Sequence, residues 1–233
     1  MKCSIADLII NLQPDPWTER QAQKYAIEDD VDFDFIVKPR TLEDYNSRVR
    51  NYDFEPYQYV TCGNSFYRGL LDYNGMMLHS SAVVVDGKAY LFSASCGTGK
   101  STHTGKWLEL FGERAFILND DKPAIRVLDD GIYAYGTPWS GKVDLSVNTK
   151  AKLQGICFLE RDTVNHIEPM EKGMAFIRMC HAALPALSKE NTIKQLNIIN
   201  KIISNVPIYS MGCTPTVDAA KMAYDTMSKN GSL

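Results

Sequence analysis

Residues 80–102 read SSAVVVDGKAYLFSASCGTGKST, and the fold is decided there. Ser81–Val85 is a β-branched run. Asp86-Gly87 follows it and is among the strongest two-residue hairpin signals, because both central positions of a type I′ turn need positive φ. Lys88–Ala94 returns as the second strand. Ser95–Gly99 is a loop, and Lys100–Phe111 is a helix closed by Gly112. Residues 94–101 fit the pattern GxxxxGK[ST], with Ala94 in place of the first glycine. Gly97 and Gly99 free the backbone between Ser95, Cys96, Thr98 and Lys100, so that successive N–H groups can curl round an anion. The helix beginning at Lys100, Ser101 and Thr102 adds its dipole. Lys100 neutralises β- and γ-phosphate charge in this pattern, and the Ser101 hydroxyl ligates Mg²⁺. The expected ligands are therefore ATP, or another nucleoside triphosphate, and Mg²⁺. If position 94 needs positive φ, alanine there costs on the order of 1 kcal/mol. Cys96, inside the loop at a helix start, is expected to be open to oxidation or alkylation and shielded by nucleotide.

Downstream, Ala115–Leu118 reads as a buried strand ending in Asn119-Asp120-Asp121. Asp120 follows Lys100 by twenty positions, enough for one helix and one strand. The two carboxylates therefore fall at a strand end beside the loop, where ligands gather in such sheets. One can hold Mg²⁺ and the other can accept a proton from an incoming hydroxyl. Ala124–Leu128, Asp130-Gly131 and Ile132–Tyr135 form a second hairpin. It leads into Gly136-Thr137-Pro138-Trp139-Ser140-Gly141-Lys142, read as a shaped, mobile loop. Trp139, Ser140, Gly141 and Lys142 are its substrate candidates: the lysine to clamp a phosphate or acidic group, the tryptophan to stack on a ring or close as a lid.

Farther along, Gly155–Leu159 is an apolar strand. Helices are expected at 170–184, 189–204 and 216–227, with a short strand at Pro207–Met211. Met174, Ile177, Met179, Cys180 and Leu184 read as a core stripe. Before residue 76 the signals are mixed. Strands are expected at Ser4–Asn11 and Asp32–Val37, and a short helix at Thr41–Arg50 with Thr41 as N-cap and Asp44 at the third position. The expectation is a peripheral α/β segment over 1–75 packed on a nucleotide-binding core over 76–233, one compact domain overall. Because hairpins alternate with helices, the fold class is α/β with a mixed sheet and a hairpin-fed P-loop.

The 233 residues carry 25 basic and 28 acidic side chains. That balance excludes a protein held to nucleic acid or anionic lipid by bulk charge. Hydrophobic residues make up 45% and charged residues 23%, which excludes wholesale disorder. No apolar run approaches the ~20 residues of a membrane helix. The first residues, Met1-Lys2-Cys3-Ser4, do not read as a signal peptide. The six cysteines have no CxxC pair, so they are expected as reduced thiols in a cytoplasmic protein.

The hairpin-fed Ser95–Thr102 segment, the Asp120-Asp121 pair at the end of the next strand, and Met77-Leu78-His79 before the first strand resemble HPr kinase/phosphorylase. They are similar, more distantly, to ATP-dependent phosphoenolpyruvate carboxykinase. The likeness covers about residues 76–136. It implies a phosphotransferase with Asp120 as candidate base, Asp121 as candidate metal ligand and His79 near the transferred phosphate; the two aspartates could exchange roles. The implied acceptor is a hydroxyl of a peptide or protein serine or of a small molecule, and the related hexamers imply self-association into a homo-oligomer. Two other readings stand beside it: an ATP hydrolase of the same fold, and a non-catalytic nucleotide-binding accessory protein.

Overall fold

The chain opens on a turn that its composition conceals. Lys2–Ile5 (β1) and Leu8–Leu12 (β2) pair antiparallel about Ala6 and Asp7, both left-handed at φ 55° and 58°. One strand across this stretch was the expectation. The structure is a computed structural model and describes residues 1–28, 31–47 and 53–229. Helix α1 (Pro16–Ala22) is capped by the Asp15 carboxylate, which accepts from the N–H groups of Trp17 and Thr18. Phe35–Val37 (β3) adds parallel to β2, only the second half of the strand expected there. Helix α2 (Leu42–Asn46) carries the expected Thr41 cap with a reciprocal bond from Asp44. Residues 48–50 of that expected helix lie outside the described residues.

A helix with no marked sequence signal follows, α3 (Phe54–Gly69), which buries Tyr57, Tyr59, Phe66 and Tyr67. Aromatic and β-branched residues are poor helix formers in isolation. Tertiary packing of this aromatic face holds the helix.

Among the described residues the main sheet has nine strands: β4 (Gly75–Met77), β5 (Ser80–Val85), β6 (Lys88–Ser93), β7 (Ala115–Asn119), β8 (Ala124–Leu128), β9 (Gly131–Tyr135), β10 (Lys150–Arg161), β11 (His166–Pro169) and β12 (Ile208–Cys213). The β5–β6 hairpin turns at Asp86-Gly87 as expected, with φ of 49° and 76°. Strand β10 is much longer than the expected 155–159. Its first residues pair antiparallel with β9, which leads on to β8 and β4. From Ile156 onward the same edge pairs in parallel with β12, which also carries β11. The sheet thus forks at β10 and is mixed.

Four further helices pack around the sheet: α4 (Lys100–Phe111), α5 (Lys172–Ala182), α6 (Lys189–Asn205) and α7 (Val217–Met227). Leu91, Ile156 and Phe158 share one apolar cluster with Met179 of α5 and Ile198, Ile199 and Ile202 of α6. Tyr90, Phe92 and Cys157 share another with Trp107 of α4 and Ala220 and Ala223 of α7. A third joins the N-terminal elements to the sheet through Phe66, Tyr67, Ala124, Tyr135 and Trp139. The expected core stripe on α5 is only partly buried. Ala175 and Met179 face inward, whereas Met174 and Ile177 are about half exposed, at 50% and 48%. No helix among the described residues is long and apolar enough to cross a membrane.

Strand directions position the site. β5 is antiparallel to both β6 and β7, so those two run the same way. β10 is parallel to β6, and β12 is parallel to β10. The C-terminal ends of β6, β7, β10 and β12 therefore open on one edge, together with the start of β5.

Beneath that edge His103 is buried on α4, and its Nε2 accepts from Trp107 Nε1 at 3.2 Å. Burial pushes its pKa down to about 4. The unfolded chain takes up this proton near pH 6.5 while the folded chain does not. Stability is therefore complete above pH 6.5 and declines by on the order of 3 kcal/mol as pH falls to about 4. Urea midpoints of wild type and His103→Gln should separate across that window, with the variant falling less. Parallel pH profiles would remove His103 as the cause.

Candidate functional site

The glycine loop leaves β6 at Ser93 and enters α4 at Lys100. Gly97 and Gly99 sit at φ 76° and 116°, where a side chain is strained. Ala94 is not among the positive-φ residues. The strain anticipated for alanine at that position is therefore absent. No side chain caps α4, so its first N–H groups stay open at the loop. Ser95, Cys96, Gly97, Ser101 and Thr102 are exposed, and Thr98 and Gly99 half-buried. The Lys100 side chain is buried and donates to Ala94 O at 3.2 Å. Burial lowers its pKa, with Asp121, Cys96 and Asp120 opposing.

The two carboxylates are fixed by Asn119, the last residue of β7. Its Oδ1 accepts from the N–H groups of Asp121 and Lys122 at 3.0 and 2.8 Å. Its Nδ2 donates to Thr137 O and Oγ1 at 3.0 and 3.1 Å. Asp121 Oδ1 lies 3.3 Å from His79 Nε2, and its Oδ2 is paired with the Lys122 ammonium. Burial alone would raise the Asp121 pKa, but His79 and Lys122 outweigh it and hold the group at about 2. Asp121 is thus a standing negative charge. Asp120 Oδ1 accepts from the Ser81 hydroxyl at 2.6 Å, and Ser81 Oγ lies 2.8 Å from Thr104 Oγ1 on α4. A buried hydroxyl relay therefore ties Asp120 to the helix that carries Lys100. The backbone of His79 is locked too: its N–H donates to Ala182 O at 2.9 Å, and its carbonyl accepts from Ser93 Oγ at 2.9 Å.

Three contributors escaped the sequence reading. Ser81 and Thr104 are two. A hydroxyl inside an otherwise apolar strand was the available signal for Ser81. The third is Arg161, at the end of β10. Its Nη2 and Nε donate to the carbonyls of Gly97 and Thr98 at 2.5 and 3.3 Å. A cleft of about 550 Å³ runs between the glycine loop and α5, with His79, Arg161 and Arg178 in its walls.

The 136–142 segment does not form a lid. Trp139 is fully buried, stacked on Phe66 at 5.0 Å and edge-on to Tyr67 at 5.6 Å. A Cβ on Gly63 of α3 would lie 2.9 Å from its ring. Ser140 is buried and donates to Asp144 at 3.0 Å. The Gly141 N–H donates to Tyr59 Oη at 3.1 Å, and its carbonyl accepts from Gln21 at 2.9 Å. Lys142 is exposed and lines a separate depression with Trp17, Arg20 and Glu55. The tryptophan expected to stack on a ligand instead anchors a buttress, and through Thr137 and Asn119 that buttress supports the Asp120-Asp121 turn.

No group of three or more His, Cys, Asp or Glu side chains among the described residues would hold a metal alone. Nucleotide-bound Mg²⁺ needs only one or two carboxylates beside phosphate oxygens and water. The ionised Asp121 and the exposed Ser101 hydroxyl suit that demand.

No curated protein matches the sequence. Among solved structures, the HPr(Ser) kinase/phosphatase from Coxiella burnetii is similar at 10% identity and a TM-score of 0.39, over 66% of this chain and 97% of that one. A likeness that distant carries no functional weight. The family described as SynChlorMet cassette protein ScmC matches residues 58–216. That span runs from α3 to the cap of α7 and takes in the glycine loop, both aspartates and Arg161, and the chain belongs to this family.

Proposed function

We propose that the protein is a Mg²⁺- and nucleoside-triphosphate-dependent phosphotransferase that moves the γ-phosphoryl group to a hydroxyl. One observation carries the reading. The glycine loop, the buried Lys100 and the Asp120-Asp121 turn open on one sheet edge, and Ser81 and Thr104 fix Asp120 to α4. The loop's N–H groups and Lys100 hold the β- and γ-phosphates. Ser101 and Asp121 would hold Mg²⁺, which would supply charge neutralisation at the phosphates. Asp121 is a poor base because the His79 hydrogen bond and the Lys122 ammonium hold its pKa low. Asp120 has Oδ1 occupied by Ser81 and no protein partner on Oδ2 among the described residues. It therefore takes the proton of the acceptor hydroxyl. The acceptor oxygen bonds to the γ-phosphorus, the β–γ bridging P–O bond breaks, and the nucleoside diphosphate leaves with that bond's electron pair.

Cys96 offers a direct check on nucleotide placement. It is exposed, whereas Cys3, Cys62 and Cys157 are buried. Iodoacetamide labelling of Cys96 should slow at least about tenfold under saturating Mg–ATP, with Cys180 and Cys213 as internal references. Equal rates with and without nucleotide would place the nucleotide elsewhere and remove this reading.

A further inference from the structure

The cleft beside the glycine loop has walls of unequal charge. Arg161 and Arg178 contribute two guanidinium groups to it, His79 and His181 line it as well, and among the described residues Glu160 is the one acidic side chain in its lining. Arg161 faces the loop carbonyls at 2.5 and 3.3 Å, which occupies two of its five N–H donors. Arg178 sits with its guanidinium 5.5 Å from the Phe158 ring centroid and donates to Glu160 at 2.6 Å. Glu160 is well exposed in that pair, with 67% of its side-chain surface open. An exposed ion pair of this kind is weak, so an entering anion can take Glu160's place. Both arginines stand on regular elements, β10 and α5. The cleft's volume lies in the range of small-ligand sites. His79 borders the cleft and reaches Asp121 at 3.3 Å, so a ligand seated there is one side chain away from the paired carboxylates.

We infer that this cleft seats the phosphate acceptor, and that the acceptor carries a carboxylate or phosphate close to the hydroxyl that reacts. The inference rests on the phosphotransferase reading and names its substrate class. Arginine recognises both anions with a planar, two-pronged donor set, and a site built for one rejects acceptors that lack it. The anion can belong to a free hydroxy acid or to an acidic peptide segment carrying serine.

The test is calorimetric titration of malonate, a dicarboxylate with no hydroxyl, into the protein saturated with Mg–ADP. Wild type should bind it, Arg178→Gln should weaken binding at least about tenfold, and Glu160→Gln should tighten it by removing the rival anion. That opposite pair of signs is not the signature of general damage to the fold. Displacement of malonate by glycerate supports a free hydroxy acid, and displacement by the capped tripeptide Asp-Ser-Asp supports a peptide. Displacement by neither overturns the inference. So does malonate binding that is absent or indifferent to both substitutions. So does an Arg178→Gln variant that loses Mg–ADP affinity and keeps malonate, since the cleft would then belong to the nucleotide. In each of these cases normal Mg–ADP binding by the wild type leaves the phosphotransferase reading standing. Failure of wild type to bind Mg–ADP at all would remove that reading and the acceptor site with it.

Discussion

Asp120→Asn should lower phosphoryl transfer about 10²–10⁴-fold, the range a positioned general base contributes. Mg–ATP affinity should stay within a few-fold of wild type. Asparagine keeps an oxygen that can accept the Ser81 hydroxyl, now 2.6 Å from Asp120 Oδ1. The relay to Thr104 and the packing beneath it therefore survive, and only the capacity to take a proton is removed. Steady-state turnover and nucleotide affinity, measured on the same preparation, separate the two effects. Near-wild-type turnover in Asp120→Asn would pass the base role to another group and leave Asp120 as a structural anchor.

The second large effect is on stability. Trp139→Ala should cost about 3–5 kcal/mol, the usual range for emptying a buried aromatic site. The ring is fully buried against Phe66 and Tyr67, and Gly63 brings α3 close to it. Trp139→Phe should cost much less. It leaves a smaller void, and it removes a buried indole N–H that has no hydrogen-bond partner among the described residues. Urea unfolding of both variants checks this. A Trp139→Ala protein as stable as wild type but impaired in turnover would return Trp139 to the role of a ligand-facing lid.

The hairpin, the glycine loop and α4 were legible because each rests on neighbours in sequence. Asp86-Gly87 makes its own turn, and Gly99 and Gly112 mark the two ends of α4. The same holds for Thr41 and Asp44, whose capping bonds span three residues. The elements that were missed depend on distant partners. Ala6-Asp7 has no glycine or asparagine to announce a left-handed turn. Helix α3 exists because its aromatic face meets Trp139 and the sheet, not because its residues favour helix. The fork at β10 needs β9 and β12 to share one strand, which no local pattern encodes.

The site divides along the same line. The loop and the aspartate pair are contiguous motifs and could be read. Ser81, Thr104 and Arg161 act across gaps of 23 to 64 residues, as the Ser81–Thr104 and Arg161–Gly97 bonds show. Trp139 was misread for a related reason. Its Gly-Thr-Pro-Trp-Ser-Gly context resembles a mobile loop, and burial is decided by α3, far earlier in the chain.

The central claim is that residues 95–102 hold a nucleoside triphosphate through Lys100. Calorimetric titration of Mg–ATP into wild type and Lys100→Ala tests it most directly. The expected result is a micromolar site in wild type, about −8 kcal/mol, that weakens at least about a hundredfold in the variant. Equal affinity in the two proteins, or no heat in wild type, would contradict it.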